Sequence, residues 1–254
     1  MKPFDLSARV AVVTGGNGGI GFGMAEGLAE AGAAVAIAAR NREKSEEAVA
    51  RLAASGAASA FIPFDVADPD SCREMVRRAV ERFGRLDILV NNAGMSIRKP
   101  PQDYAVAEWH TVLDTNLTGP LVCCQAAYQL MKQQGGGKII NIGSTMSIFG
   151  AAYAAAYSAS KGAIVQLTRS LATAWARDNI QVNAVLPGWI DTELTIAARQ
   201  QVEGLHERIL RRTPAGRWGV PTDMRGIAVF LAAPASDFVT GTAIPVDGGY
   251  SVEF

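Results

Sequence analysis

Residues 9–31 read RVAVVTGGNGGIGFGMAEGLAEA, and this stretch decides the fold. Its apolar run at residues 9–13 predicts a strand, residues 14–21 predict a glycine-rich turn, and the apolar repeat over residues 22–31 predicts a helix. A strand, a glycine turn and a helix in this order bring backbone amides and a helix N-terminus up to a pyrophosphate. Gly15 and Gly19 are further apart than in the usual dinucleotide fingerprint, so a flexible glycine loop is the alternative interpretation.

Six further apolar runs predict the other strands of a sheet. They cover residues 34–39, 58–64, 86–90, 138–142, 180–186 and 243–246. Helical patterns lie between them, including residues 109–131, a helix that opens at Tyr157, and residues 222–233. This alternation predicts an α/β fold, a doubly wound parallel sheet with helices on both faces. Residues 190–212 have mixed polarity and predict two short helices that form a mobile cover over the site.

We expect one domain over residues 1–254, because no repeat or linker divides the chain and 49% of its residues are hydrophobic. The 24 basic and 24 acidic residues cancel, which indicates a small-molecule substrate and neither nucleic acid nor a membrane as a partner. The chain lacks an apolar signal core and any stretch of about 18 apolar residues, so we expect a soluble, cytoplasmic protein. Cys72, Cys123 and Cys124 lack ligand spacing and are interpreted as packing residues, so no metal is expected.

The helix that opens at Tyr157 carries Lys161 four residues later, so the two side chains share one face. A free tyrosine has a pKa near ~10, and an opposite charge within about 4–6 Å lowers it by roughly 1–3 pH units. Lys161 is therefore expected to lower the pKa of Tyr157 and to make the phenol a proton carrier near neutral pH. Alone, this spacing is weak evidence, because it is usual in surface pairs.

The predicted strand at residues 34–39 ends at Arg40, with no acidic residue before Glu43. A carboxylate here would hold the ribose hydroxyls of NAD and repel a 2′-phosphate, whereas an arginine offers a forked cation to that phosphate. The sequence therefore favours NADP(H) and leaves NAD(H) as the second choice. The alternative is that Arg40 and Arg42 begin a solvated, charged helix that continues through Lys44.

Polar residues follow the other predicted strands, at the edge where open α/β sheets bind ligands. Asp65 is placed to accept a hydrogen bond from an adenine amino group or to cap a turn. Residues 91–94 are predicted either to contact a ligand or to tie strand ends together. Ser144 is predicted either to hydrogen-bond a substrate oxygen or to serve as a turn residue. Asn116, an amide among apolar residues, bonds a neighbouring helix or holds a water near the lysine. The residues alone leave each pair of alternatives open.

With these motifs in order along its length, the chain resembles the short-chain dehydrogenase/reductase family. The resemblance rests on residues 14–21, Asp65, residues 91–94, Asn116, Ser144, Tyr157 with Lys161, and Pro187 with Gly188. It implies a Rossmann-type sheet of seven strands in the order 3-2-1-4-5-6-7, and a homotetramer or homodimer. It also implies hydride transfer between a nicotinamide cofactor and a secondary alcohol or ketone.

The family roles transfer to matching residues of this chain. Tyr157 resembles the general acid/base, Lys161 the residue that lowers its pKa and binds the nicotinamide ribose, and Ser144 the holder of the substrate oxygen. Asn116 resembles the support of a proton-relay water. Implied cofactor contacts are Gly15, Asn17, Gly18, Gly19, Ile20, Gly21, Arg40, Asn41, Asp65, Val66, Asn92, Ala93, Gly94, Tyr157, Lys161, Pro187, Gly188, Ile190 and Thr192. Candidate substrate contacts are Ser96, Arg98, Ser144, Met146, Tyr157 and Trp189.

One departure from the family pattern concerns the cofactor. Gly18 stands where many NADPH-dependent members carry a second basic residue. The preference for NADP(H) therefore rests on Arg40, with Arg42 as a further candidate.

Within the family, the chain is most similar to the gluconate and 2-deoxygluconate dehydrogenases, over residues 91–99 and 212–219. We expect Arg98 to pair with the carboxylate of a sugar acid, in a site for sugar-acid or polyol-type substrates; an exposed loop arginine is the equal alternative. A 3-oxoacyl-[acyl-carrier-protein] reductase or a general carbonyl reductase is the alternative function, since it shares every catalytic motif and basic residues are available to meet an acidic carrier. A non-catalytic NADP-binding module is a remote third, because such a protein would be expected to lose Tyr157, Lys161 or Ser144.

Overall fold

The structure is a computed structural model that describes residues 3–253. Its strands form one parallel sheet in the order β3-β2-β1-β4-β5-β6-β7, which confirms the predicted topology. The strands are β1 Val10–Thr14, β2 Ala34–Ala39, β3 Ser59–Pro63, β4 Ile88–Asn91, β5 Gly137–Ile142, β6 Ile180–Pro187 and β7 Ala243–Val246. The central strands are buried along their whole length because helices cover both faces of the sheet.

The helices are α1 Gly19–Glu30, α2 Arg42–Ala54, α3 Pro69–Phe83, α4 Val106–Leu113, α5 Gly119–Gln133, α6 Ala155–Trp175, α7 Glu193–Gln201, α8 Leu205–Arg212 and α9 Arg225–Ala232. Alternate residues of a strand point to opposite faces. Val13 therefore packs in the layer formed by α1, α2 and α9, whereas Val12 packs in the layer formed by α3, α5 and α6. The cysteines are free and buried in the second layer, as predicted. Within residues 3–253, no helix combines the length and apolar character that crossing a membrane requires.

The long helix predicted over residues 109–131 is present, beginning at Val106 and ending at Gln133. It is not uniform, because a π-helical turn, Asp114–Thr118, lies between its α-helical parts α4 and α5. A Cβ on Gly119 would lie 2.2 Å from the Val66 carbonyl oxygen, so a glycine is needed for α5 to begin against the loop after β3. The wider turn sits beside α6, and it carries Asn116 in a buried position.

Strands β1 and β4 are neighbours at the centre of the sheet, and the chain winds outward from them in opposite directions. This is the topological switch point of an open α/β sheet, where ligands bind outside the carboxyl ends of the strands. The glycine turn after β1, the loop after β4 and the segment after β6 all border one cavity at this position.

Candidate active site

A cavity of about 460 Å³ opens at the carboxyl end of the sheet. The turn after β1 forms one wall with Gly15, Asn17, Gly18, Gly19 and Ile20. Gly15 has a φ of 62°, which favours glycine, and a Cβ on Gly21 would lie 2.4 Å from Asn92 Nδ2. Helix α1 begins after Gly18 without a side-chain cap, so its first amides remain available to an anion. This bare wall fits the pyrophosphate of a dinucleotide.

The two asparagines at the end of β4 have different tasks. The buried Asn91 donates a hydrogen bond of 2.8 Å from Nδ2 to Asn141 Oδ1 and so ties β4 to β5. Asn92 Nδ2 donates to the carbonyls of Thr14 at 2.9 Å and Gly15 at 3.1 Å, and Asn92 also lines the cavity. Asn92 therefore holds the glycine turn in place from the neighbouring strand.

Tyr157 and Lys161 on α6 meet Ser144, which follows β5, in the same cavity. Lys161 Nζ lies 5.6 Å from the Tyr157 ring centroid and donates a hydrogen bond of 2.7 Å to the Ile142 carbonyl. The Ser144 hydroxyl accepts a hydrogen bond from the Met146 amide at 3.1 Å, and its interaction with the Tyr157 phenol acts to lower the pKa of that group, against the larger effect of burial. Ser144 is thus both a turn residue and a partner of Tyr157.

The prediction that Lys161 lowers the pKa of Tyr157 is wrong for the protein without cofactor, in which this pKa is raised. Burial raises the pKa of Tyr157, and the hydrogen bond with Ser144 and the charge of Arg98 oppose that rise only in part. Burial also lowers the pKa of Lys161 to about 8, because an ammonium ion is poorly solvated in the protein interior. The Lys161 ammonium bonds the Ile142 carbonyl rather than the phenol.

Asn116 is 1% exposed and its side-chain amide is bonded on both sides. Oδ1 accepts from the Met95 amide at 2.9 Å, while Nδ2 donates to the Met95 carbonyl at 2.9 Å and to Ser160 Oγ at 3.0 Å. The alternative in which Asn116 bonds a neighbouring helix is therefore confirmed, since Ser160 belongs to α6. Its role in holding a water stays a prediction.

Most of the predicted cofactor contacts border the cavity. Beyond the glycine turn, these are Arg40, Asn92, Ala93, Gly94, Tyr157, Lys161, Pro187, Gly188, Ile190 and Thr192. The structure places Gly21, Asn41, Asp65 and Val66 outside the cavity wall. Asn41 caps α2 by accepting from the Lys44 amide at 3.0 Å, and Asp65 Oδ1 accepts from the Ala67 amide at 3.0 Å. Short polar side chains satisfy nearby amides as readily as they contact a ligand, so the sequence could not separate the two uses.

The predicted substrate contacts Ser96, Arg98, Met146 and Trp189 line the same cavity as Tyr157. Arg98 is half-buried, and its guanidinium donates to the Leu194 carbonyl at 3.2 Å and to Gln201 Oε1 at 3.3 Å. It therefore connects the loop after β4 to α7, the first helix of the covering segment at residues 190–212.

The sequence reasoning missed Lys44, which lines the cavity. Arg42, the residue expected to assist Arg40, instead bonds Glu46 at 3.0 Å and lies over the Phe61 ring. Lys44 could have been indicated by its position, because it lies in the first turn of α2, directly after the strand end that carries Arg40.

A glycine turn suited to a dinucleotide, with Ser144, Tyr157 and Lys161 in the same cavity, defines an NAD(P)-dependent oxidoreductase that acts on CH–OH groups. The family model described as "Enoyl-(Acyl carrier protein) reductase" matches residues 15–251. With this match and its curated relatives, the chain belongs to the short-chain dehydrogenase/reductase family.

Within this family the chain is similar to enzymes named for sugar acids. It is 42% identical over 251 residues to the 2-dehydro-3-deoxy-D-gluconate 5-dehydrogenase of Dickeya dadantii, covering 98% of each chain. It is 39% identical over 249 residues to the gluconate 5-dehydrogenase of Gluconobacter oxydans, covering 98% of this chain and 97% of that one. A solved gluconate 5-dehydrogenase from Burkholderia cenocepacia in complex with NADP and tartrate matches with a TM-score of 0.94 at 41% identity, covering 99% of this chain and 98% of that one.

Proposed function

We propose that this chain interconverts a secondary alcohol and a ketone on a sugar acid of the gluconate type, with NADP(H) as cofactor. The observation that carries the proposal is the position of Arg98, which lines the cavity beside Tyr157 and whose positive charge acts on the phenol. A carboxylate paired with this guanidinium would leave the hydroxyls of a short sugar acid beside Tyr157. The sugar-acid relatives support the same substrate class.

The chemistry of the site follows from the placement of Ser144, Tyr157 and Lys161. When bound, the nicotinamide supplies a hydride to a carbonyl carbon or accepts one from an alcohol carbon. Ser144, which lines the cavity with Tyr157, holds the substrate oxygen, and Tyr157 gives its proton to that oxygen in reduction and takes it back in oxidation. Because burial raises its pKa, Tyr157 is protonated at neutral pH and ready for reduction. The Lys161 ammonium is held close to the phenol ring and would bind the nicotinamide ribose.

The residues present fit NADP(H). The uncapped start of α1 and the bare glycine turn suit the pyrophosphate, and Arg40 is an exposed cation at the cavity edge after β2. The NADP complex of the Burkholderia relative supports this choice. NAD(H) is the second cofactor to be tested.

A carrier-protein reductase receives less support from the basic side chains of this chain. Docking of an acidic carrier needs available basic side chains. Lys99 is paired with Glu108 at 2.6 Å, Arg199 is paired with Asp191, and Arg212 lies between two aromatic rings. Three of the basic residues that could meet an acidic carrier are thus already engaged within the chain.

The substrate assignment is tested by replacing Arg98 with alanine and with lysine. We expect Arg98→Ala to lower kcat/KM for gluconate-type acids by about 10- to 100-fold, the value of a charged hydrogen-bonded pair, and to change an uncharged polyol or ketone by less than about threefold. Arg98→Lys should recover part of the loss, because it keeps the charge without the fork. Arg211→Ala, which removes an exposed charge from α8, is the matched control. Equal losses for charged and uncharged substrates would refute the assignment.

The remaining parts of the proposal concern assembly and location. Residues 1–254 act as one domain, with residues 190–212 as the cover, in a cytoplasmic homotetramer. Edge strand β7 and the partly exposed Tyr128–Trp175 stack, with ring centroids 4.7 Å apart on α5 and α6, support association through these surfaces. Light scattering measures the assembly directly, and a monomer at micromolar concentration would contradict it.

A further inference from the structure

The corner of the cavity between the glycine turn and α2 contains a lysine that the proposed mechanism does not use. Lys44 lines the cavity in the same corner as Gly18. A Cβ on Gly18 would lie 3.1 Å from Lys44 Cε and 3.2 Å from Nζ. The missing side chain at Gly18 therefore leaves space that the lysine side chain fills.

The first turn of α2 is fastened to the glycine turn, which fixes the base of this lysine. Asn41 Oδ1 accepts from the Lys44 amide at 3.0 Å. Ser45, the next residue, accepts from Asn17 Nδ2 at 3.1 Å and donates to the Asn41 carbonyl at 2.5 Å. These bonds fix the start of α2, where Lys44 lies in the first turn and Arg40 precedes the Asn41 cap.

The ammonium of Lys44 is paired with a carboxylate from the covering segment. Lys44 Nζ lies 2.5 Å from Glu193 Oε1, and the two side chains are 35% and 83% exposed. Glu193 begins α7, next to Thr192, whose Cγ2 would lie 3.1 Å from a Cβ on Gly19. Lys44 and Glu193 both border the cavity. An anion that binds Lys44 in this corner must therefore compete with the Glu193 carboxylate.

We infer that Lys44 is the second cation for the 2′-phosphate of NADP(H), and that Glu193 competes with this phosphate for the same ammonium. The inference rests on the proposed NADP(H) dependence and adds to it the residues that set its strength. Arg40 supplies the forked cation and Lys44 a point charge, and both border the same cavity. Glu193 weakens phosphate binding, because its carboxylate must give up Lys44 and then remain near a group of like charge.

Binding of 2′,5′-ADP and 5′-AMP by calorimetry tests the inference without turnover, and NADPH and NADH are compared by fluorescence titration. We expect Lys44→Met to weaken 2′,5′-ADP and NADPH by about 10- to 100-fold and to change 5′-AMP and NADH by less than about twofold. Arg42→Ala, a charge removed from the same helical turn but directed at Glu46, is the matched control and should leave all four ligands unchanged.

Glu193→Gln should tighten 2′,5′-ADP by about two- to fivefold, the range expected for an exposed ion pair, and this gain should vanish in the Lys44→Met background. Glu203→Gln, an exposed acid between α7 and α8, is the control for loss of negative charge. If Lys44→Met weakened the affinities for NADPH and NADH equally, Lys44 would be assigned to the pyrophosphate and the inference would be overturned. The inference would also be overturned if Lys44→Met left the 2′,5′-ADP affinity unchanged while Arg40→Ala weakened that affinity. If the parent protein and Arg40→Ala both bind 2′,5′-ADP no better than 5′-AMP, the NADP(H) assignment fails first and the inference fails with it.

Discussion

Replacing Asn116 with alanine tests whether this amide holds the site together. The change removes three hydrogen bonds from a residue that is 1% exposed, and it leaves the Met95 amide and carbonyl without their partner. Ser160 still donates a hydrogen bond of 2.7 Å to the Tyr157 carbonyl, so losing Asn116 costs the Ser160 hydroxyl little. Each partner left unsatisfied costs about 1–3 kcal/mol, and water replaces part of the lost bonding. We therefore expect the free energy of unfolding to fall by about 2–4 kcal/mol.

For a chain of this length, that loss corresponds to a fall in Tm of roughly 5–15 °C, measured by differential scanning calorimetry. Activity should fall as well, because Met95 belongs to the loop that carries Ser96 and Arg98 into the cavity. Thr115→Ala is the matched control, since its hydroxyl bonds only the Thr111 carbonyl one turn back and is exposed. A variant at Asn116 with an unchanged Tm and a large loss of kcat would refute this reasoning and favour the water-holding role.

Two further predictions concern the residues at the reacting oxygen. Tyr157→Phe should lower kcat by about 10²- to 10⁴-fold while leaving cofactor affinity nearly unchanged, and kcat within a few-fold of the parent would remove Tyr157 as the acid/base. Lys161→Met tests the lowered lysine pKa of about 8 through stability in the absence of cofactor. Between pH 8 and about 10.4 the unfolded chain binds more protons than the folded one, so the parent should gain stability relative to the variant as pH rises through this window. A stability difference that does not change with pH, measured by denaturant unfolding, would show that the pKa is not lowered.

The sheet was predictable because its information is local. Each strand is a short apolar run bounded by turn residues, and the runs at residues 34–39 and 243–246 coincide with the observed β2 and β7. The π-helical turn at Asp114–Thr118 was not predictable, because helical periodicity over five residues does not separate π-helical from α-helical geometry. Gly119, directly after this turn, approaches Val66 closely, and a contact between residues so far apart in sequence leaves no local pattern.

The site was predictable where a residue's neighbours in sequence also determine its position. Tyr157 and Lys161 share a helix face, and the glycine turn follows its strand directly, so both reach the cavity as expected. Asn41 and Asp65 could not be assigned, since capping and ligand contact demand the same side chains. The pKa of Tyr157 depends on burial by residues from several elements, which helical spacing does not reveal.

Turnover by the parent protein is the most direct test of its proposed activity on sugar acids with NADP(H). Absorbance at the reduced-nicotinamide band should be followed with gluconate-type acids, the corresponding uncharged polyols, simple ketones and a 3-oxoacyl thioester, each with NADP(H) and NAD(H). We expect the highest kcat/KM for a sugar acid with NADP(H). Turnover of the thioester alone, with the sugar acids inert, would contradict it and move the enzyme to the carrier-protein reductases.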